Sequence, residues 1–243
     1  MVYERINGRN FNELRPTKIT RNYLLYPEGS VLIEQGKTKV IVTASVEDSV
    51  PRWMRDTHNS WITSEYSMLP RATDRRRRRP RNGRYTPGRS VEIQRLIGRS
   101  LRAAFNLHHI GEVTVYVDCD VIQADGGTRC ASITGGFVAV FDAFKRAYET
   151  NLITKFPDYM VTAAISVGII DKQTLLDLNY EEDSSAGVDA NFVMDKDLKL
   201  LEVQGTSERE KFTKEQFVEM IEYAQKGIKE LTEYQSEVLG INN

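Results

Sequence analysis

Gly126-Gly127-Thr128-Arg129 is the stretch of this chain best suited to holding an anion. Glycines let the backbone approach a ligand closely, and the helical pattern that follows aims its free N-terminal N–H groups the same way. Thr128 adds a hydroxyl donor, and Arg129 a planar guanidinium that matches phosphate oxygens. The stretch is neither a Walker A loop nor a G-x-G-x-x-G motif. Taken alone, a strand–Gly-Gly–helix turn is more often plain turn chemistry. Asp183 and Asp189 form the second candidate. Brought together by a tight loop through Ser184, Ser185 and Gly187, two carboxylates fit Mg²⁺, which takes a few carboxylates plus water and substrate phosphate. Without further context, Asp183 reads more simply as a turn cap and Asp189 as a solvated carboxylate. Asp118 and Asp120 share a strand face and make a rival pair, read more simply as bonded to loop amides.

Other chemistries are poorly supported. His108 and His109 are adjacent and His58 has no partner at ligand spacing, so a histidine zinc site or a Ser-His-Asp arrangement does not emerge. Cys119 falls on an apolar strand face. Cys130, beside Arg129, sits where a thiol could acidify, but reads as helix packing. Trp53 and Trp61 read as core or interface residues, with base stacking a further use.

Charge is the other strong signal. Between Arg71 and Arg102 stand 12 arginines against only Asp74 and Glu92, a local +10 in a chain whose net charge is −1. Such an island points to a polyanion. Within it, the run Arg75, Arg76, Arg77, Arg78, Arg79 is followed by Pro80, Gly83, Pro87 and Gly88. That density of Pro and Gly predicts an exposed, mobile loop at about 71–88.

These residues must be positioned by a fold, and 243 residues suffice for a real core. Apolar residues at 40% and charged residues at 28% are ordinary for a soluble protein. The longest apolar stretch, about Val161 to Ile170, is roughly half a membrane span. The absence of an apolar leader and the two cysteines predict a reduced, cytoplasmic setting. Ser30–Gly36 and Lys39–Ser45 predict a hairpin, and Trp61–Tyr66 a third strand. Ile93, Leu96, Ile97, Leu101, Ala104 and Phe105 follow helical spacing, with Ser90 as N-cap. Glu112–Ile122 alternates as a strand, and a helix runs from the Gly-Gly turn to about Thr150. Met160–Ile170 and Thr174–Tyr180 read as strands joined at Asp171 and Lys172, and Leu198–Gln204 as the last strand. Thr213-x-x-Gln216 is a capping box opening the C-terminal helix. Strands and helices interleave without a boundary, so residues 1–243 are expected to form one α+β or α/β domain of mixed sheets.

Taken together, the blocks resemble the ribonuclease PH family of phosphate-dependent exoribonucleases. The resemblance runs from Leu14-Arg-Pro16 to the C-terminal helix. It is carried by Met68-Leu-Pro-Arg71, Gly88-Arg89, Glu92-Ile-Gln-Arg-Leu-Ile-Gly-Arg99, Asp118-Cys-Asp-Val121, Gln123-Ala-Asp-Gly-Gly-Thr-Arg129, Glu182-Asp-Ser184 and Glu202-Val-Gln-Gly-Thr206. The resemblance implies a ribosomal protein S5 domain 2-like α+β fold and a hexameric ring built as a trimer of dimers. It implies inorganic phosphate held by Arg89, Gly127, Thr128 and Arg129, and Mg²⁺-associated catalysis at Asp183 and Asp189. It further implies RNA guidance by Arg71 and Arg75–Arg79, with the 3′ ends of transfer RNA precursors as substrate. The competing expectation is a non-catalytic RNA-binding subunit of an exosome-like ring. A hydrolytic nuclease using Asp118 and Asp120 is a third. The chain departs from the pattern at Ala190, at Ser207-Glu-Arg-Glu-Lys211 and in the density of the arginine run. None of these departures is expected to touch the catalytic set.

Overall fold

Among the described residues, two sheets and four α-helices position everything that follows. The computed structural model describes residues 4–5, 8–79 and 88–241, so residues 80–87 of the basic loop, with Arg81 and Arg84, lie outside the described residues. The first sheet comprises β1 (Thr17–Arg21), β2 (Gly29–Gln35), β3 (Thr38–Glu47), β4 (Trp61–Met68) and β5 (Thr114–Gln123), in the order β1-β2-β3-β5-β4. Its neighbours are antiparallel except β4 and β5, which run parallel. The second contains β6 (Thr162–Ile170), β7 (Gln173–Leu176), β8 (Val188–Asp195) and β9 (Leu200–Ser207), antiparallel in the order β7-β6-β8-β9. The helices are α1 (Gly88–Ala104), α2 (Thr128–Glu149), α3 (Tyr180–Ser185) and α4 (Lys214–Leu239).

α2 is the axle. Nearly every residue of its first four turns is buried, because it packs against β2 and β3 on one side and β6 on the other. A helix apolar all round belongs in the interior. α4 covers the far face of the second sheet, so β6 is buried on both faces and reads as a continuous apolar run. Along β8 the period of two does the sorting. Val188, Ala190, Phe192 and Met194 enter the core beneath α4, while Val193 joins the core beneath α2. Asp189 and Asn191 share the parity of Val193, which turns them toward the N-terminal end of α2.

Most expected elements are present. The β2–β3 hairpin forms, the β5 alternation is buried at Val115, Val117, Cys119 and Val121, and the Thr213 capping box closes with both bonds made. Asp171 and Lys172 both adopt positive φ, 49° and 66°, as a two-residue hairpin turn requires.

Three expectations are corrected and one is narrowed. Ser90 is not the N-cap of α1: the helix begins at Gly88, which puts Arg89 and Ser90 in its first turn. The strand expected at Thr174–Tyr180 stops at Leu176, because Asp177 turns away at φ 54° and Asn179 caps α3. Asn179 Oδ1 accepts from the Glu182 N–H while Glu182 accepts from the Asn179 N–H, a capping box where a loop was expected. β8 and β1 were not anticipated. Of the core and interface readings of Trp53, only the core one is excluded: it is 68% exposed, edge-on to Trp61 at 5.0 Å.

Candidate active site

The Gly-Gly turn is held before any ligand arrives. Gly126 and Gly127 both adopt positive φ, and a Cβ on Gly127 would come within 2.9 Å of Arg15 Nη2. Gly127 thus caps α2 in a left-handed conformation that an L side chain resists. Thr38 Oγ1 donates to the Gly126 carbonyl at 2.7 Å and accepts from the Asp125 N–H at 2.9 Å. The turn therefore cannot drift from the β2–β3 hairpin. Thr128 opens α2, and its Oγ1 lies 2.7 Å from the Tyr66 hydroxyl. Arg129 Nη1 donates to Gln204 Oε1 at 2.7 Å, across to β9.

A cavity of about 500 Å³ opens over this turn. Arg89 enters from the first turn of α1, Asp183 from α3, Asp189 and Asn191 from β8, and Gly126–Arg129 form its floor. A second cavity, about 420 Å³, shares Arg89, Arg129, Asp183 and Asp189 and continues toward β9. The six residues expected to grip phosphate or hold metal are thus in one place. Asp118 and Asp120 border neither cavity. They lie on the outer face of β5, opposite Glu65 and Ser67 of β4, and no bond to a loop amide holds them among the described residues. Neither residue therefore joins the cavity in which Asp183 and Asp189 stand.

Electrostatics make the two site carboxylates unusual. Burial, reinforced by the neighbouring Asp183 charge, pushes Asp189 up to about 6 against the pull of Arg129 and Arg89. Burial also pushes Asp183 up, opposed by Arg89, Arg129 and Arg15. Asp189 Oδ1 is buried without a hydrogen-bond partner among the described residues. An orphaned carboxylate oxygen beside a second carboxylate is what a hard cation completes. Asp183 and Asp189 supply hard oxygen donors of the kind Mg²⁺ takes, one or two carboxylates with water and phosphate completing the shell.

Two expectations about surroundings change here. The arginine run is not remote: Thr73, Asp74, Arg75, Arg76 and Arg77 line the same cavity as Asp183 and Asp189. That segment is tied down by Ala124 N–H donating to Ala72 O at 2.8 Å and Arg77 N–H to Pro70 O at 2.8 Å. Arg71, Arg78 and Arg79 are exposed and line neither cavity. The departure at Ser207–Lys211 also reaches the site. Glu208 and Arg209 line the second cavity, and Arg209 Nη2 donates to Ser184 O at 2.9 Å. By contrast Ala190 packs in the core beneath α4, a packing change only.

Family models match nearly the whole of this arrangement: the 3′ exoribonuclease family, domain 1, over residues 13–145, and domain 2 of the same family over residues 161–227. The chain belongs to the 3′ exoribonuclease family. It is 50% identical over 239 residues, covering 98% of each chain, to a Corynebacterium glutamicum protein named ribonuclease PH. Its fold is that of an Archaeoglobus fulgidus exosome structure with RNA bound to the active site, at 23% identity, TM-score 0.78, covering 95% of this chain and 92% of that one. An archaeal exosome core gives TM-score 0.78 at 22% identity, covering 96% and 91%. The family's two model domains meet at the cavity: Gly126–Arg129 and Arg89 fall in the first, Asp183 and Asp189 in the second.

Several residues that build this candidate site were not singled out from sequence. Asp177, just after β7, receives Arg15 through N–H, Nε and Nη2 at 2.8, 3.0 and 2.6 Å. Arg15 Nη1 meanwhile donates to Asp125 O, so one guanidinium ties β7 to the Gly-Gly turn. Glu182, adjacent to Asp183, receives Arg5 Nε and Nη2 at 2.8 Å each. Asn191 accepts the Cys130 thiol hydrogen at 3.2 Å, and burial pushes that thiol up rather than down. The Asn-x-x-Glu spacing at 179–182 was the available signal for α3; the arginine partners carried none.

Proposed function

We propose that this protein is a phosphorolytic 3′–5′ exoribonuclease that trims transfer RNA precursors, with inorganic phosphate as co-substrate. The single observation that carries this is the convergence of the Gly126–Arg129 turn and two half-buried carboxylates, Asp183 and Asp189, on one cavity. A 50% identical relative named ribonuclease PH supports it. Phosphate would lie between Arg89 and Arg129 over the N-terminus of α2, with Thr128 donating to it. There it attacks the phosphorus of the last 3′ linkage. The 3′ oxygen of the shortened RNA leaves and a nucleoside diphosphate is released. Two phosphates repel, so the work of the site is positioning and charge stabilisation.

Asp183 and Asp189 would hold Mg²⁺, whose charge would offset that repulsion when bound. Asp189, with its raised affinity for a proton, is suited to hold or pass one at the leaving 3′ oxygen. Arg75–Arg77, inside the cavity, would meet the phosphates nearest the 3′ end. Arg71, Arg78 and Arg79 would guide RNA farther out. α2, packed against both sheets, supports reading 1–243 as one functional domain. Leu25 and Tyr26, 86% and 90% exposed between β1 and β2, support assembly with further copies, for which a hexameric ring is our reading. The free, buried thiols of Cys119 and Cys130 suit the cytoplasm, and among the described residues no helix is long and apolar enough to cross a membrane.

One assay tests the function. Labelled RNA is incubated with Mg²⁺, with and without inorganic phosphate, and products are separated. Nucleoside diphosphates formed only with phosphate are expected. Monophosphates without phosphate would make it a hydrolase, and no product would favour the non-catalytic ring subunit.

A further inference from the structure

Tyr66 is a buried phenol whose hydroxyl has one hydrogen-bond partner among the described residues. It stands on β4, opposite Cys119 of β5, and its hydroxyl lies 2.7 Å from Thr128 Oγ1. It does not line the cavity, whereas Thr128 does. Through Thr128 it adjoins the cavity that Arg89 and Arg129 line, and both guanidinium charges act on the phenol. Burial nonetheless pushes its ionisation upward, which keeps the O–H a donor.

Two hydroxyls in contact share one hydrogen between them, and the direction matters. If Thr128 donates to Tyr66, its lone pairs face the cavity and repel an anion. If Tyr66 donates to Thr128, the threonine hydrogen is released to point at the anion, and each bond in the chain polarises the next. An anion between two arginines selects the second arrangement. We propose that Tyr66 is a positioning residue for the phosphate site: its O–H donates to Thr128 Oγ1 and so fixes Thr128 as a donor toward bound phosphate. The proposal rests on reading Gly127–Arg129 as that site. It assigns Tyr66 no contact with phosphate and no part in gripping RNA.

The test is a double-mutant cycle read in the KM for inorganic phosphate, with the KM for a short RNA and the melting temperature alongside. Tyr66→Phe removes only the hydroxyl. It should raise the phosphate KM by about 3–10-fold, the effect of one neutral hydrogen bond, and leave the RNA KM in place. Thr128→Ser keeps a hydroxyl and should remain sensitive to Tyr66→Phe. Thr128→Val should abolish that sensitivity, so that the double variant is no worse than Thr128→Val alone. Arg129→Ala serves as the control for the site itself. If Arg129→Ala raises the phosphate KM but Tyr66→Phe does not, the relay is wrong and the site stands. If Tyr66→Phe adds its full effect to Thr128→Val, or weakens phosphate and RNA equally, Tyr66 acts through packing and the proposal falls. If neither Arg129→Ala nor Thr128→Val moves the phosphate KM, the site reading fails and the relay fails with it.

Discussion

Arg5 and Glu182 meet in a bidentate pair, Nε to Oε1 and Nη2 to Oε2 at 2.8 Å each, with both side chains fully buried. They stand 177 residues apart, and Glu182 directly precedes Asp183. The N-terminal segment therefore holds α3, and through it one wall of the cavity. Arg9 joins the same carboxylate at 3.4 Å.

Breaking this pair should be costly. Arg5→Met leaves Glu182 as a buried charge short of a partner, a loss on the order of 3–5 kcal/mol. Urea unfolding measures it. Combining Arg5→Met with Glu182→Gln should recover part of that stability, because the carboxylate is no longer charged and Arg9 keeps Asp177. Activity should fall in the single variant, since α3 carries Asp183. Wild-type stability in Arg5→Met would show that the pair is idle.

Asp189 should leave a pH signature on stability. Its folded value, about 6, lies above the unfolded value of about 3.9. A raised carboxyl favours the fold while protonated: its contribution is full below the unfolded value and is lost as pH rises through the folded one. In chelator, wild type should lose on the order of 2–3 kcal/mol relative to Asp189→Asn between about pH 4 and pH 7. Mg²⁺ should restore stability to wild type and not to Asp189→Asn. Parallel pH curves for the two proteins would refute the shift.

Arg89 and Arg129 should govern phosphate use. Each Ala substitution removes a charge-assisted donor worth about 1.5–3 kcal/mol, roughly ten- to a hundredfold in the KM for phosphate. Arg129→Ala also frees Gln204, which Arg129 bonds at 2.7 Å, so Gln204→Ala is the control for that interaction. Phosphate dependence unchanged in both arginine variants excludes the assignment.

The arginine run should split in two. Arg75–Arg77 line the cavity and Arg78 and Arg79 do not. Replacing Arg75, Arg76 and Arg77 with Ser should weaken phosphorolysis even of a very short oligonucleotide. Replacing Arg78 and Arg79 should spare that substrate while lowering the salt slope for longer RNA by about 0.7 for each RNA phosphate no longer neutralised. Identical behaviour of the two variants would return the run to a single role.

Legibility followed the range of the interactions. Gly126–Arg129, the β5 alternation and the Thr213 cap were readable because each depends on neighbours within a few residues. β8 carries an equally plain alternation, Val188, Ala190, Phe192 and Met194 against Asp189 and Asn191. It begins at the end of a Ser- and Gly-rich turn, however, and that turn chemistry masked the strand that bears Asp189. Asp183 and Asp189 were identified, yet only the fold decides that a six-residue helix and a central strand aim them into one cavity. The sequence alone determined that a Gly-Gly turn before a helix, an acidic pair and a basic island exist. It could not place Arg75–Arg77 on the cavity that Asp189 lines, nor pair Arg5 with Glu182 or Tyr66 with Thr128. The last two pairs join residues 177 and 62 positions apart, and such pairings carry no local signal. Burial raised Asp189 for the same reason: desolvation belongs to the packed core, not to the residue.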